Sequence, residues 1–418
     1  MPLIKNLVKK LESCRICGNT ELVPVLSLGD QALTGVFPRS KTQPVTSGPL
    51  ELVKCHGKGM CSLLQLAHSY DSSEMYGLNY GYRSGLNQDM VSHLTQKVSS
   101  LMENYPVTSG DVVLDIGSND GTLLSCYPDG PLLIGMDPTA AKFRSFYQSR
   151  ISVVPDFFSA KNFLSASGGK KARIVTSIAM LYDLDEPVEF VRQIASILRK
   201  DGVWHFEQSY MPLMVQSNAY DTICHEHLEY YGLRQIQWIL RQCGMKVLDV
   251  AFNDTNGGSF AVTAALESAL YPAATSRIAE ILNSEAAFEQ LAPYEEFKSC
   301  VSHHRDALCE RLVTLSREGA RVLGYGASTK GNVILQYCGL TEREIPAIAE
   351  VNPDKFGAFT PGSLIPILSE QEAHALKPDY FLVLPWHFRE GLIRRENAFL
   401  KRGGRMLFPL PSIDVVGV

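Results

Sequence analysis

Two histidines flank a glutamate in the stretch Tyr220 to Tyr231, YDTICHEHLEYY, which holds the densest set of reactive side chains in the chain. Imidazole is the side chain whose ordinary pKa best suits proton removal near neutral pH. A carboxylate beside it, here Glu226, can orient the ring and favour the imidazolium that forms. His225 and His227 are alternate residues, so an extended segment would point them to one face and a helical turn would make them diverge. The second histidine follows the first by two positions, which excludes the H-E-x-x-H pattern of a zinc protease. A metal site and a structural histidine cluster are the alternatives to catalysis. Tyr220, Tyr230 and Tyr231 surround the triplet in sequence.

Two glycine turns must position substrates around such a base. The first is Val112 to Leu124, VVLDIGSNDGTLL, where a buried-strand pattern ends at Asp115 and Gly117, Ser118, Asn119, Asp120 and Gly121 open a loop before a helix start. Glycine backbone can approach a ligand closely, and a helix start offers free N–H groups. The next strand, Leu132 to Asp137, ends in an acid twenty residues after Gly117, as a strand-end carboxylate holding ribose hydroxyls requires. Val153 to Phe158 reads as a third strand whose exit places Asp156 and Phe157 against an adenine. Ile174 to Ile178, which contains Ser177, reads as a fourth, followed by a loop reaching Asp183, and Gly202 to Glu207 as a fifth. Strands and helices in this order form a parallel doubly wound α/β sheet. The loop reads G-S-N-D-G, a poor fit to the G-x-G-x-x-G of a dinucleotide dehydrogenase.

The second glycine turn is RVLGYGASTKGNVILQYC from Arg321, in which Gly324, Gly326 and Gly331 with Lys330 would let backbone and ammonium meet a diphosphate. A further acid, Glu350, ends Ile345 to Asn352, and Trp386 and His387 end the buried run YFLVLPW. This is a second α/β unit. Asn253 to Phe260 reads as a polar hairpin between two antiparallel strands, Met90 to Asn104 as a one-faced helix, and Ser276 to Gly319 as helices broken at Pro293, with His303 and His304 at the surface. The Gly-, Tyr- and Asn-rich Tyr76 to Asp89 has the composition of a binding-site loop.

Ten cysteines, a net charge of −5, 45% apolar and 20% charged residues over 418 positions describe a soluble chain of two or three domains. No basic field for nucleic acid or a membrane surface exists, and no apolar run approaches a membrane span. A cytoplasmic location is the expectation, and there cysteines serve as thiols or metal ligands. Cys14 and Cys17, with Cys55 and Cys61, form two pairs suited to tetrahedral zinc. His56 could replace Cys55, and four unligated thiols are the alternative. The segment between the pairs, SLGDQALTGVFPRS, fits no helix or strand pattern.

The run VLDIGSNDGTLL with Asp137 resembles the first two motifs of class I S-adenosylmethionine-dependent methyltransferases. Together with the cysteine pairs, CHEHLEYY, GYGASTKGN and VNPDKFG…PG…IPI, the whole chain resembles the nucleotide-sugar C-methyltransferases of deoxysugar biosynthesis. The resemblance implies a zinc-binding domain over 1–74, a Rossmann-like methyltransferase domain over 75–272 and a C-terminal helical linker and α/β domain over 273–418. S-adenosylmethionine would meet Asp115, Gly117, Asn119, Asp120, Asp137, Asp156, Phe157 and Ser177. A nucleotide-diphosphate 4-keto-6-deoxy sugar would meet Asn256, Gly326, Ser328, Lys330, Asn332, Glu350, Trp386 and His387, with Tyr82, Asp183 and Cys224 in the sugar pocket. The resemblance makes His227 the base that generates an enolate, supported by Glu226 and His225, with Tyr76 or Tyr82 hydrogen-bonding the keto-sugar; sequence leaves His225 open as the base. Cys224 stands where relatives often have tyrosine, and Asp183 where some have histidine, which leaves the methylated carbon and the sugar open. Methylation of a sugar oxygen or nitrogen, and a non-catalytic sugar-nucleotide-binding protein, are the competing readings. The expected form is a monomer or small homo-oligomer.

Overall fold

The computed structural model describes residues 8–71, 75 and 82–417. Val112–Ile116 and Leu132–Met136 are apolar throughout except Asp115, and they pair in parallel inside a seven-stranded sheet. Its order is Met245–Asn253, Ser259–Leu266, Leu198–Ser209, Ala172–Ile178, Val112–Ile116, Leu132–Met136, Ile151–Val154. Ser259–Leu266 is antiparallel to both neighbours, and the remaining strands run one way. Their carboxyl ends therefore share one edge, where a crevice for ligands forms. Gln88–Asn104 covers the sheet with Met90, Leu94, Val98 and Leu101, the one-faced helix its spacing predicts. The third strand stops at Val154, and the exposed loop beyond it carries Asp156 and Phe157.

Within the SLGDQALTGVFPRS segment between the cysteine pairs, residues 27–32 are strand and residues 33–40 are turns and irregular chain. Leu22–Ala32 is a strand paired with Ser47–Cys55, and its register slips between Pro24 and Leu26 and between Ser27 and Asp30. Each bulge resets the two-residue alternation, so a strand pattern is invisible in sequence there. This sheet continues through Leu64–Leu66 to Glu229–Tyr230, so the strand that follows the CHEH triplet belongs to the cysteine-bearing sheet.

Thr275–Ser284 and the long helix Ala292–Arg317 lead into the third sheet. Pro293 sits in the first turn of the long helix, where its missing N–H costs nothing, and so starts the helix. His304 corrects the surface assignment: it is buried with Phe297, Val301 and Leu308, and its ring lies 2.5 Å from Pro409 O and 3.2 Å from Tyr220 Oη. His303, one position along, faces solvent and bonds within its own helix. The sheet order is Ile367–Ser369, Ile348–Glu350, Val322–Tyr325, Tyr380–Val383, Arg405–Phe408, Asp414–Val416. No helix among the described residues is long and apolar enough to cross a membrane.

Candidate active site

Four sulfurs, from Cys14, Cys17, Cys55 and Cys61, lie within 4.8 Å of one another. Cys14 and Cys61 are 3.4 Å apart and Cys17 and Cys55 3.5 Å, against about 3.8 Å between ligands of a tetrahedral Zn–S₄ centre. The Cys14–Gly18 turn closes through Gly18 N–H to Cys14 O, and Asn19 Nδ2 donates to Cys55 Sγ at 3.3 Å. That is the donor set and size a structural zinc takes, with Cys55 rather than His56 inside it.

The first glycine turn sits at the carboxyl end of Val112–Ile116. Gly117, Asn119 and Gly121 have φ of 72°, 51° and 78°. A Cβ on Gly121 would also fall 2.7 Å from the Tyr147 ring, whose hydroxyl donates to Asn119 O at 2.7 Å. The helix that follows is one turn, Thr122–Ser125. Asp137 receives Asn119 N–H at 2.8 Å on one carboxylate oxygen and Thr139 N–H and Oγ1–H, both at 2.6 Å, on the other. A carboxylate has about four acceptor positions, so a lone pair remains for a ligand hydroxyl. Asp115 is buried beneath the turn, held by Thr176 Oγ1 and pushed up to about 7 by burial. Ser177 is turned inward, accepting from Trp204 Nε1 at 3.0 Å. Backbone from Tyr82 to Gly85 folds onto the turn: Asn119 binds Tyr82 O and Ser84 N–H, and Asp120 binds Gly85 N–H. Tyr76 lies outside the described residues.

The CHEH triplet is a turn closed by His227 N–H to Cys224 O, so the two histidines diverge. His225 is buried in the N-terminal sheet, edge-on to Tyr70 at 4.6 Å between centroids, with Nε2 3.4 Å from Gly48 O. His227 turns the other way and packs on Tyr182 at 4.3 Å. Its Nδ1 lies 2.8 Å from Thr222 O. A carbonyl only accepts, so Nδ1 carries the proton and Nε2 keeps a lone pair. Burial and the Lys330 ammonium lower the His227 pKa to about 4, which makes the ring neutral at pH 7. His227 also lines a small cavity of about 10 Å³ with Tyr182, Ser209, Thr222, Glu229 and Tyr230.

Across from His227 stands the second glycine turn. Lys330 Nζ donates to Asn256 O at 2.8 Å, and its ammonium acts on His227, Asp221 and His387. Trp386 Nε1 donates to Asp221 Oδ2 at 2.7 Å, joining the C-terminal domain to the segment before the triplet. Asp183 sits on the turn after the fourth strand, beside Tyr182. The Lys330 charge thus reaches His227, Asp221 and His387, hydrogen bonds join Asn256 and Trp386 to that set, and Asp183 follows Tyr182, on which His227 packs. Other predicted substrate residues are used inside the protein. Ser328 caps the helix Thr329–Tyr337 through Gly331 N–H; Asn332 Nδ2 donates to Thr34 O at 2.7 Å; Glu350 receives the N–H groups of Ala327, Val351 and Asn352. Gly326, with φ of 82°, seats on Pro385, and Cys224 is fully buried beside Glu226. Tyr82 is half exposed on the cofactor-turn side.

Three residues near the site have no role in the sequence reading, although Asp221 lies inside the Tyr220 to Tyr231 stretch. Asp221 is polar and wholly buried, and Glu207 at the fifth strand's end gathers His93, Lys97 and Asn253. Thr34 Oγ1 donates to Glu226 at 3.2 Å, and a Cβ on the adjacent Gly35 would lie 2.5 Å from Glu226 Oε1. Gly35→Ala is therefore expected to displace Glu226 and reduce methyl transfer at least several-fold while zinc content stays at one equivalent, checked by initial rates and metal analysis.

A seven-stranded sheet with a single antiparallel strand, a glycine turn after its first strand and an acid after its second define a class I methyltransferase core, here between a four-cysteine zinc-binding domain and a second α/β domain. The chain matches the zinc binding domain family over residues 14–76, the methyltransferase domain family over 59–250 and the C-methyltransferase C-terminal domain family over 254–411. It is 30% identical to the C-methyltransferase NovU of Streptomyces niveus over 420 aligned residues, covering 99% of each chain. The chain belongs to this family of S-adenosylmethionine-dependent C-methyltransferases, with S-adenosylmethionine and zinc as its cofactors. Among solved structures, magnesium protoporphyrin IX methyltransferase of Synechocystis with bound S-adenosylhomocysteine is 17% identical over 42% of this chain and 84% of that one, with a TM-score of 0.33. The mitomycin 7-O-methyltransferase MmcR is 15% identical over 43% and 55%, with a TM-score of 0.34.

Proposed function

We propose that the enzyme methylates the ring carbon beside the ketone of a nucleotide-linked 4-keto-6-deoxy sugar. The observation that carries this reading is a neutral His227, its Nε2 lone pair free, facing the buried cation Lys330 across the junction of two domains. Carbon is methylated through a carbanion, and a carbon next to a ketone yields one as an enolate once a base removes its proton. His227 Nε2 takes that proton, and its Nδ1–H bond to Thr222 O fixes the ring while it does so. Glu226, held by Thr34, fixes the turn that carries His227. The Lys330 ammonium and the turn Gly326–Lys330 hold the nucleotide diphosphate, with Trp386 and His387 beside it. Bound at Gly117–Asp120 and Asp137, S-adenosylmethionine supplies the electrophilic methyl group. The chain's own work is alignment of the two substrates and exclusion of water. Division into domains at 1–74, 75–272 and 273–418 belongs to the same reading. Incubation with a nucleoside-diphosphate-4-keto-6-deoxyhexose in deuterated water tests it: deuterium should enter beside the ketone, and the methyl should appear on that carbon by NMR. A product methylated on oxygen or nitrogen, or no exchange, would overturn it.

A further inference from the structure

Arg15 lies between two zinc ligands, yet its side chain is only 2% exposed. Nη1 donates to Leu66 O at 2.8 Å and to Leu228 O at 3.4 Å; Nη2 donates to His68 O at 3.2 Å and Ser69 Oγ at 2.9 Å. Nε lies 3.5 Å from Glu229 Oε1 and 3.7 Å from Asp185 Oδ1. Glu229 is 1% exposed and accepts no hydrogen bond among the described residues; burial pushes its carboxyl well above the usual carboxylate range, and the Arg15 guanidinium is the cation that works against that rise. Ser69 Oγ in turn donates to Asp185, two positions beyond Asp183. One planar group therefore touches the zinc sheet, the peptide directly after His227 and the fourth-strand loop. Leu228 is held from both sides: its N–H donates to Tyr182 O at 2.7 Å, and its carbonyl receives Leu66 N–H at 2.9 Å.

We propose that Arg15 is a positioning residue through which the zinc knuckle sets His227 and the Asp183 loop in register with each other. Cys14 and Cys17 fix the backbone on either side of Arg15, and the Nη1 and Nη2 donors of its rigid fork carry that position to Leu66, Leu228, His68 and Ser69, while Nε lies beside Glu229. Lysine has the charge without the fork and cannot reach partners on three elements at once. The zinc centre is thereby a component of catalytic geometry as well as of folding. The proposal rests on reading the 224–230 segment as catalytic.

Arg15→Lys in the full chain tests it, with Ser69→Ala as a milder variant that removes one acceptor of the Arg15 fork and the link from Ser69 to Asp185. Zinc content, thermal midpoint, S-adenosylmethionine affinity, kcat, KM and deuterium exchange into the keto-sugar are measured, with rates expressed per zinc-loaded protein. Arg15→Lys should keep its zinc and its S-adenosylmethionine affinity and lose kcat and exchange together, by about tenfold to a hundredfold, with KM little changed. Ser69→Ala should lose several-fold in kcat at an unchanged thermal midpoint. Arg15→Lys with kcat within twofold of wild type, or with a loss that disappears when rates are expressed per bound zinc, overturns the proposal. His227→Ala run alongside separates the two claims: exchange surviving there refutes the base, whereas wild-type rates in Arg15→Lys beside a dead His227→Ala refute only the positioning role.

Discussion

His227→Gln is expected to lower methyl transfer by about 10²- to 10⁴-fold and to abolish deuterium exchange beside the ketone, whereas His225→Gln should leave exchange within a few-fold of wild type. The contrast follows from the turn at the triplet. His227 has one nitrogen committed to Thr222 O and the other with a lone pair at the domain junction; His225 is packed against Tyr70 inside the N-terminal sheet. The His225 substitution should act on stability instead, at roughly 1–3 kcal/mol for a perturbed buried ring. Both imidazoles are lowered to about 4. The rate should therefore be flat from neutral pH downward and fall only as pH approaches about 4, where the base becomes protonated. Lys330→Met removes a cation that lowers the His227 pKa and should move that acid limb upward. For stability, both groups are neutral in the fold and bind protons on unfolding below about 6.5, so their contribution is complete above that pH and is lost between about 6.5 and 4. An acid limb near 6.5 in wild type, or full exchange in His227→Gln, would sink the assignment.

The central sheet was readable because its strands are short, apolar and bounded by glycine turns, and because twenty residues separate Gly117 from Asp137. The cysteine ligands were readable because their chemistry admits few other uses. The N-terminal sheet was not, since bulges at Pro24/Leu26 and Ser27/Asp30 erase the alternation that marks a strand. Adjacent histidines part company on the long helix, because Phe297, Val301, His304 and Leu308 fall on one helical face and His303 does not. Ser328, Asn332 and Glu350 sit in a motif that looks made for a ligand, yet each satisfies backbone groups of the fold. A sequence motif cannot show whether its polar atoms point at ligand or at protein. Thr34 and Arg15 are the reverse case: each gains its place near His227 only from contacts distant in sequence, and Asp221, six residues before His227, gains its link to Trp386 in the same way.

Zinc removal is the second large effect expected. A structural tetrathiolate site in a small segment contributes about 10–16 kcal/mol to its folding at neutral pH. Here the cysteines also share a core with Leu63 of their own segment and with Tyr231, Leu233 and Ile236 from beyond it, and Gln235 Nε2 donates to Cys61 O at 2.9 Å. Loss of the metal should therefore release Leu64–Leu66, the strand to which Glu229–Tyr230 is paired, and with it the turn carrying His227. The residues proposed to hold S-adenosylmethionine belong to another sheet, so cofactor affinity should fall much less than turnover. Stepwise chelation followed by metal analysis should show methyl transfer and deuterium exchange declining in proportion to bound zinc, with calorimetry still detecting S-adenosylmethionine in the partly depleted protein. Cys17→Ala should reproduce the loss, and His56→Ala should not, because His56 lies outside the four-sulfur cluster. Full turnover with well under one equivalent of zinc would remove the metal from the site's architecture and leave Arg15 without the anchor that gives its contacts their direction.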